Sequence, residues 1–240
     1  VCLRPTAADG GRWRSKAAKE GNSASLAGLT FFITLPLMQS NPHAAVLLLS
    51  GGQDSATCLA WAQQRFSHLH AVTIDYGQRH RIELVAATEI AQRAGIQQTV
   101  IPCDSFRALG GNSLTSNEVV TIAAAFAYQR GIIEIVTGVC QTDYSGYPDC
   151  RAETMTALQE SLRKGMEFPV TIHTPLMHLS KAETVKMLQK LGKLDLLAWS
   201  HTCYNGAVPP CGTCPACELR AKGFREAGIS DPLIERLAKE

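Results

Sequence analysis

Neither sign of charge is in excess in this chain. Its 240 residues carry 23 Lys and Arg against 21 Asp and Glu, a formal net charge of +2. That balance supplies no strong field for nucleic acid or for a membrane surface. There is no internal repeat and no low-complexity tract, which leaves out solenoids and repeat arrays. A comfortable membrane span is missing too. The apolar run Leu26–Leu37 is short and Pro36 interrupts it. What remains is a chain with 45% hydrophobic residues, enough for one sizeable α/β core and a small appendage.

Cysteine, by contrast, is plentiful, with nine in the chain. A chain of this size needs no disulfide staples, and four of the nine cluster with metal-ligand spacing, so a reducing, cytoplasmic setting is expected. The N-terminus is unusual. Arg4, Arg12, Arg14, Lys16 and Lys19 precede the short apolar run, a pattern like that of a signal peptide. The rest of the chain argues for the cytosol. Residues 1–43 are therefore expected to be an extension, non-native or disordered, with Met38 as the natural start.

The stretch Ser50-Gly51-Gly52-Gln53-Asp54-Ser55 follows the apolar run Ala44–Leu49 and precedes the helical pattern Ala56–Ala62. A strand, a glycine turn and a helix N-terminus in that order make an anion site. A Walker A loop needs a Lys that is not here, and a dinucleotide-binding loop needs a third Gly. Ser-Gly-Gly-x-Asp-Ser instead resembles the pyrophosphate-binding loop of ATP pyrophosphatases. The plainer reading is a Gly-Gly turn with Asp54 as a helix N-cap.

From Ala45 onward strand and helix patterns alternate. Strands are expected at Leu69–Asp75, Gln98–Pro102, Ile132–Val139 and Val170–His173, after the one that leads into the loop. Helices are expected at Arg81–Ala94, Ile122–Arg130, Ala152–Lys164 and Lys181–Leu191. The last has Ser180 and Glu183 as a capping box and Gly192 as its stop. This alternation implies an α/β fold with a doubly wound parallel five-stranded sheet, and ligands at the carboxyl ends of its strands. Residues 44–195 read as the nucleotide-binding domain. Residues 196–240 read as a zinc-binding helical region packed on the same core.

In that last region Cys203, Cys211, Cys214 and Cys217 form two overlapping Cys-x-x-Cys units with a fourth thiol upstream. Four thiolates with no open position suit structural, tetrahedral Zn²⁺. An iron–sulfur cluster is the alternative ligand of such a set, and a redox pair a more distant one. Cys58 reads as a core residue. Cys140 and Cys150 flank a distinctive loop and touch either ligand or core.

Four segments occur in order: Ser50–Ser55, Asp75-Tyr76-Gly77-Gln78-Arg79-His80, Gly138–Arg151, and the four cysteines. His173–Leu176 and Ser180–Glu183 follow the same pattern. The series resembles the 7-cyano-7-deazaguanine synthases of queuosine-precursor synthesis, with an adenine nucleotide alpha hydrolase-like fold, from about Ala45 to the C-terminus. The resemblance implies conversion of 7-carboxy-7-deazaguanine, ammonia and ATP to the nitrile, through an adenylated acid and an adenylated amide. It implies that ATP with Mg²⁺ is held by Leu49, Ser50, Gly51, Gly52, Gln53, Asp54, Ser55, Ala56, Thr57, Cys58 and Leu59. Asp75, Tyr76, Arg79 and His80 would lie beside the nucleotide. Asp54, Ser55 and Lys181 would serve the chemistry. Gln141, Asp143, Tyr144, Tyr147, Asp149 and Arg151 would hold the deazaguanine, the tyrosines by stacking and an aspartate by its N–H edge. A homodimer without direct nucleic-acid or membrane partners is implied as well.

The chain departs from that pattern once. The resemblance calls for Pro-Gly-Arg-Asn before the helix at Thr121–Arg130, and Asn117-Glu118-Val119-Val120 runs straight in without it. The expectation is that a mobile loop is left out of this sequence; a true deletion predicts weak or no ATP turnover. Two rival functions remain. One is another ATP pyrophosphatase, such as a tRNA thiolase or an amidotransferase synthetase domain, against which the small net charge weighs. The other is a zinc-knuckle binding module with the α/β domain as scaffold.

Overall fold

A computed structural model describes residues 43–78, 81–104, 114–141 and 147–240. The expectations for residues 1–42, including Met38, and for Arg79, His80, Asp143 and Tyr144 lie outside them.

Five strands form one all-parallel sheet in the order β3-β2-β1-β4-β5, with β1 Ala44–Leu48, β2 His68–Asp75, β3 Gln97–Pro102, β4 Glu134–Val136 and β5 Thr171–His173. β1 is buried throughout and reads as an unbroken apolar run because both of its faces are covered. Ala45, Leu47 and Leu49 face one core. It is shared with α1 (Gln53–Gln63), α2 (Ile82–Arg93), α5 (Lys181–Lys190) and α6 (Pro215–Ala227). Ala44, Val46 and Leu48 face the other, covered by α3 (Ser116–Tyr128) and α4 (Ala152–Met166). The doubly wound expectation holds. The order reverses direction between β1 and β4, and a crevice therefore opens at their carboxyl ends. Short turns at Pro148–Cys150 and Leu194–Trp199 and a last helix, α7 (Pro232–Leu237), complete the elements.

Two expected elements are corrected. The helix expected from Ile122 begins at Ser116, because Thr115 and Glu118 form a capping box two turns earlier. The strand expected over Ile132–Val139 covers only Glu134–Val136, paired to Ala45–Leu47 on one side and Thr171–His173 on the other. It stops there because the chain crosses the N-terminus of α1. A Cβ on Gly138 would sit 3.1 Å from the Asp54 carbonyl carbon and from the Ser55 nitrogen. Among the described residues, no helix is long and apolar enough to cross a membrane.

Candidate active site and cysteine knuckle

The loop between β1 and α1 is fixed by its own hydrogen bonds. The Ser50 N–H and hydroxyl both donate to Ser55 Oγ, at 3.2 and 3.1 Å. The Ser55 hydroxyl donates to the Gly52 carbonyl at 3.0 Å, and the Gly52 N–H to Ser50 Oγ at 3.3 Å. Gly51 has φ +88, and a Cβ there would lie 2.2 Å from the Glu83 carbonyl oxygen and 2.8 Å from the Ala87 nitrogen. No other residue fits, because the loop lies directly on the first turns of α2. Gly52, not Asp54, is the N-cap of α1, and Asp54 sits in the first helical turn.

Lys181 opens α5, whose Ser180–Glu183 capping box is present as expected. Its Nζ donates to both carboxylate oxygens of Asp54, at 2.9 and 2.8 Å. Two residues 127 apart in sequence thus form a charge-assisted pair at the mouth of the loop. Behind the lysine lies α6. A Cβ on Gly223 would meet Lys181 Cγ at 2.7 Å, Cβ at 3.0 Å and the backbone carbonyl carbon at 3.2 Å.

These groups border a cavity of about 410 Å³. Leu49, Ser50, Gly52–Ser55, Tyr76 and Lys181 line it, whereas Gly51, Ala56, Thr57, Cys58 and Leu59 do not. The side chains of those four helical residues are buried, Thr57 on the Gln53 carbonyl and Cys58 on the Thr137 carbonyl. Burial, with Asp54 and Cys140 nearby, holds the Cys58 thiol well above the usual range. Gln53 is also buried, and neither end of its amide finds a hydrogen-bond partner among the described residues. Cys140 and Cys150 are both in the cavity wall.

The remaining candidates are more scattered. Asp75 accepts the Gly77 N–H at 3.0 Å and the Arg81 guanidinium at 2.8 Å. The Gln141 amide oxygen accepts the Ala152 N–H, at the start of α4. The Asp149 carboxylate accepts the Ser116 N–H at 2.8 Å, at the start of α3. Arg151 is exposed and pairs with Glu153. Tyr147 is 57% exposed, available to a ligand or to solvent. Among the cavity residues that the sequence reading did not single out, two carry groups suited to a ligand. Glu83 occupies the first turn of α2. Tyr204 follows the first cysteine of the knuckle and stands 60% exposed on the cavity wall. The signal for Tyr204 was its place between metal ligands, and Glu83 had none beyond helical phase.

The knuckle brings Cys203, Cys211, Cys214 and Cys217 together, with their sulfurs all within 4.8 Å of one another. A tetrahedron of thiolates about 2.3 Å from a metal has its sulfurs about 3.8 Å apart. A slight contraction would therefore suit the set to an ion, and the four cysteines could hold a metal. Donation from the Thr213 N–H, then the Thr213 hydroxyl, brings Cys211 down to about 5. Burial pushes Cys217 up to about 12. A bound cation would require the thiols to give up their protons. Cys214 is the N-cap of α6, and Cys217 lies in its first turn.

From there the knuckle reaches the loop. Arg220, 4% exposed, donates to the Asp231 carboxylate at 2.6 and 2.8 Å, to Ser200 Oγ at 2.7 Å and to the Leu197 carbonyl at 3.0 Å. The next residue, His201, donates its N–H to the Gly51 carbonyl at 2.8 Å.

The family model described as "Queuosine biosynthesis protein QueC" matches residues 44–121 and 117–228. The 7-cyano-7-deazaguanine synthase of Chromobacterium violaceum is 55% identical over 228 residues, covering 84% of this chain and 97% of that protein. That of Laribacter hongkongensis is 53% identical over 222 residues, covering 82% and 97%. That of Bacillus subtilis is 41% identical over 205 residues, covering 76% and 94%. The two matched stretches overlap at 117–121, where the Pro-Gly-Arg-Asn is missing. Each aligned length also exceeds the part of this chain it covers, so the relatives carry residues with no counterpart here.

Proposed function

This chain belongs to the family of queuosine biosynthesis protein QueC, and from that membership we propose how its residues perform the family's reaction. It is an enzyme of the carbon–nitrogen ligase class, a 7-cyano-7-deazaguanine synthase in queuosine biosynthesis. The acid, 7-carboxy-7-deazaguanine, is a poor acyl donor. Adenylation turns one carboxyl oxygen into a leaving group and releases pyrophosphate. Ammonia then forms the amide as AMP leaves. A second adenylation, on the amide oxygen, lets that oxygen depart as AMP and leaves the nitrile.

The observation that carries this reading is the Ser50–Ser55 loop at the switch point of the sheet, with Lys181 seated on Asp54 at the edge of the cavity. The Gly52 N–H, the Ser50 and Ser55 hydroxyls and the N-terminus of α1 cradle the pyrophosphate. Asp54 would hold the Mg²⁺ that accompanies ATP, as hard cations favour carboxylate oxygens, and the ion would supply positive charge against the phosphates. Lys181, at the mouth of the loop, adds its own positive charge beside them. Asp75 and Tyr76, with Arg79 and His80, flank the nucleotide. Tyr144, Tyr147 and Tyr204 offer stacking faces to the deazaguanine, and Gln141, Asp143, Asp149 and Arg151 its polar edge. The four cysteines would hold a structural Zn²⁺, which would brace the start of α6 and take no part in bond making. Residues 44–195 act as the nucleotide-binding domain and 196–240 as its zinc-bearing region. The enzyme works in the cytoplasm as a homodimer on small molecules alone.

The test is to incubate the zinc-loaded protein with 7-carboxy-7-deazaguanine, ammonia and ATP. Mass spectrometry should find the nitrile with two AMP and two pyrophosphate for each. Absence of AMP with that acid would overturn the reading, and tight binding of tRNA would favour a thiolase.

A further inference from the structure

The roles assigned above bind phosphate, metal or the deazaguanine. None of them takes the proton that the nitrogen must shed. A carboxylate lies in the cavity with no role so far. Glu83 stands in the first turn of α2 and lines the same space as Asp54, Ser55 and Lys181. Its backbone is locked against the loop, since a Cβ on Gly51 would lie 2.2 Å from its carbonyl oxygen. The Tyr76 phenol, raised above its usual range chiefly by burial, feels its charge from the same cavity, and Tyr204 lines that cavity too. Among the described residues its carboxylate enters no hydrogen bond or ion pair. It is therefore not used up as a cap or a salt-bridge partner, unlike Glu183, Asp75 and Asp149. Burial raises its carboxyl above the ordinary range, the direction that suits a group taking protons near neutrality.

We propose that Glu83 is the general base of both nitrogen steps, its carboxylate facing the attacking nitrogen in the cavity beside the Ser50–Ser55 loop. The proposal rests on the adenylating role of that loop. In the first step the ammonia nitrogen bonds to the acyl carbon, and the bond from that carbon to the phosphate oxygen breaks. AMP leaves with the electron pair, and one N–H proton passes to Glu83. When the amide oxygen is adenylated, pyrophosphate leaves and the amide nitrogen gives one of its two protons to solvent; in the second step the resulting adenylated imidate loses its last N–H proton to the same carboxylate. The C–O bond breaks, AMP departs and the C≡N bond is complete. Between steps Glu83 returns its proton to solvent. No oxidant or reductant is needed.

The test separates adenylation from nitrogen transfer in the zinc-loaded enzyme. Exchange of labelled pyrophosphate into ATP, with the acid but no ammonia, reports adenylation alone. Amide and nitrile formation report the rest. Glu83→Gln should leave exchange within about 3-fold of the parent and slow amide formation about 100-fold or more, the usual loss for a general base. Glu83→Asp, which keeps a carboxylate, should recover part of the rate. Added formate should restore activity to Glu83→Ala, a rescue that a merely structural role would not show. Amide formation at the parent rate in Glu83→Gln overturns the proposal. Equal loss of exchange and amide formation overturns it too, because Glu83 would then hold ATP. Absence of exchange in the parent protein would strike the adenylating reading first, and so the two failures are distinct.

Discussion

The Ser50–Ser55 loop and the cysteine knuckle lie side by side, and they keep their shapes by different means. Ser50–Ser55 is closed by four internal hydrogen bonds and by a glycine pressed onto backbone atoms of α2. Its geometry is complete without any ligand. The buried residues of the knuckle's own core are only Cys203, Cys214 and Cys217. Three cysteines bury little apolar surface, so a bound ion would supply much of the free energy that orders the knuckle. Yet His201 and Arg220 join it to the loop. A site closed by its own hydrogen bonds is thus braced by a region that would lean on an ion.

The sharpest way to break that contrast is Cys214→Ser, or chelation of the metal. Either should cost on the order of several kcal/mol and abolish metal binding. Hydrogen exchange should show 200–240 losing protection first, with the sheet still folded. Simultaneous melting of β1 and β2 would erase the distinction. Gly51→Ala attacks the other side. It forces a left-handed backbone on a residue with a Cβ and collides with Glu83 and Ala87, at a cost of about 2–4 kcal/mol. Denaturant unfolding should register that loss while metal content stays at one ion per chain.

Gly223→Ala probes the seam between the two regions. Alanine favours a helix by about 1 kcal/mol over glycine in an exposed interior, so stability alone would rise if nothing were in the way. Here the methyl meets Lys181, and α5 and α6 must part. Metal content should hold, while the KM for ATP rises several-fold, and Lys181→Ala should largely absorb the effect in a double-mutant cycle. The smallest effect is on stability in Glu83→Gln. Burial raises the carboxyl, so at neutral pH the folded state carries a penalty for the ionised form. The neutral amide removes it. Tm should match or exceed the parent above the raised value, and the advantage should vanish as pH falls below the ordinary carboxylate range. A variant of lower Tm at pH 8 would mean that the carboxylate makes a stabilising contact.

The parts legible in the sequence were those written in consecutive residues. The strand-loop-helix around Ser50, the Ser180–Glu183 box and the four cysteines each declare themselves by spacing, and all three appear as expected. The start of α3 was equally local, in Thr115 and Glu118, but the alanine-rich segment further on drew the boundary too late. β4 was not legible, because its β-branched run continues past the point where the chain must clear Asp54. Glu83 and Gly223 were invisible for the same reason. One matters through the loop it packs against and the other through a lysine on a neighbouring helix, and no window of sequence holds both partners. Gln141 and Asp149 illustrate the reverse. They read as ligand groups, and the fold adds a second tie that the sequence did not announce, since each also accepts an N–H at a helix start.

The bond from the His201 N–H to the Gly51 carbonyl has a bearing on modularity. A fragment ending at residue 195 would keep every strand of the sheet and the whole Ser50–Ser55 stretch. It would also lose that donor, the wall behind Lys181 and the tyrosine on the rim. Recombination that swaps tails between distant relatives would meet the same obstacle, since loop and tail meet at a shared backbone contact. The tail is therefore a part to be inherited together with the loop, and its exchange for another cysteine-rich module should yield folded proteins that grip nucleotide poorly.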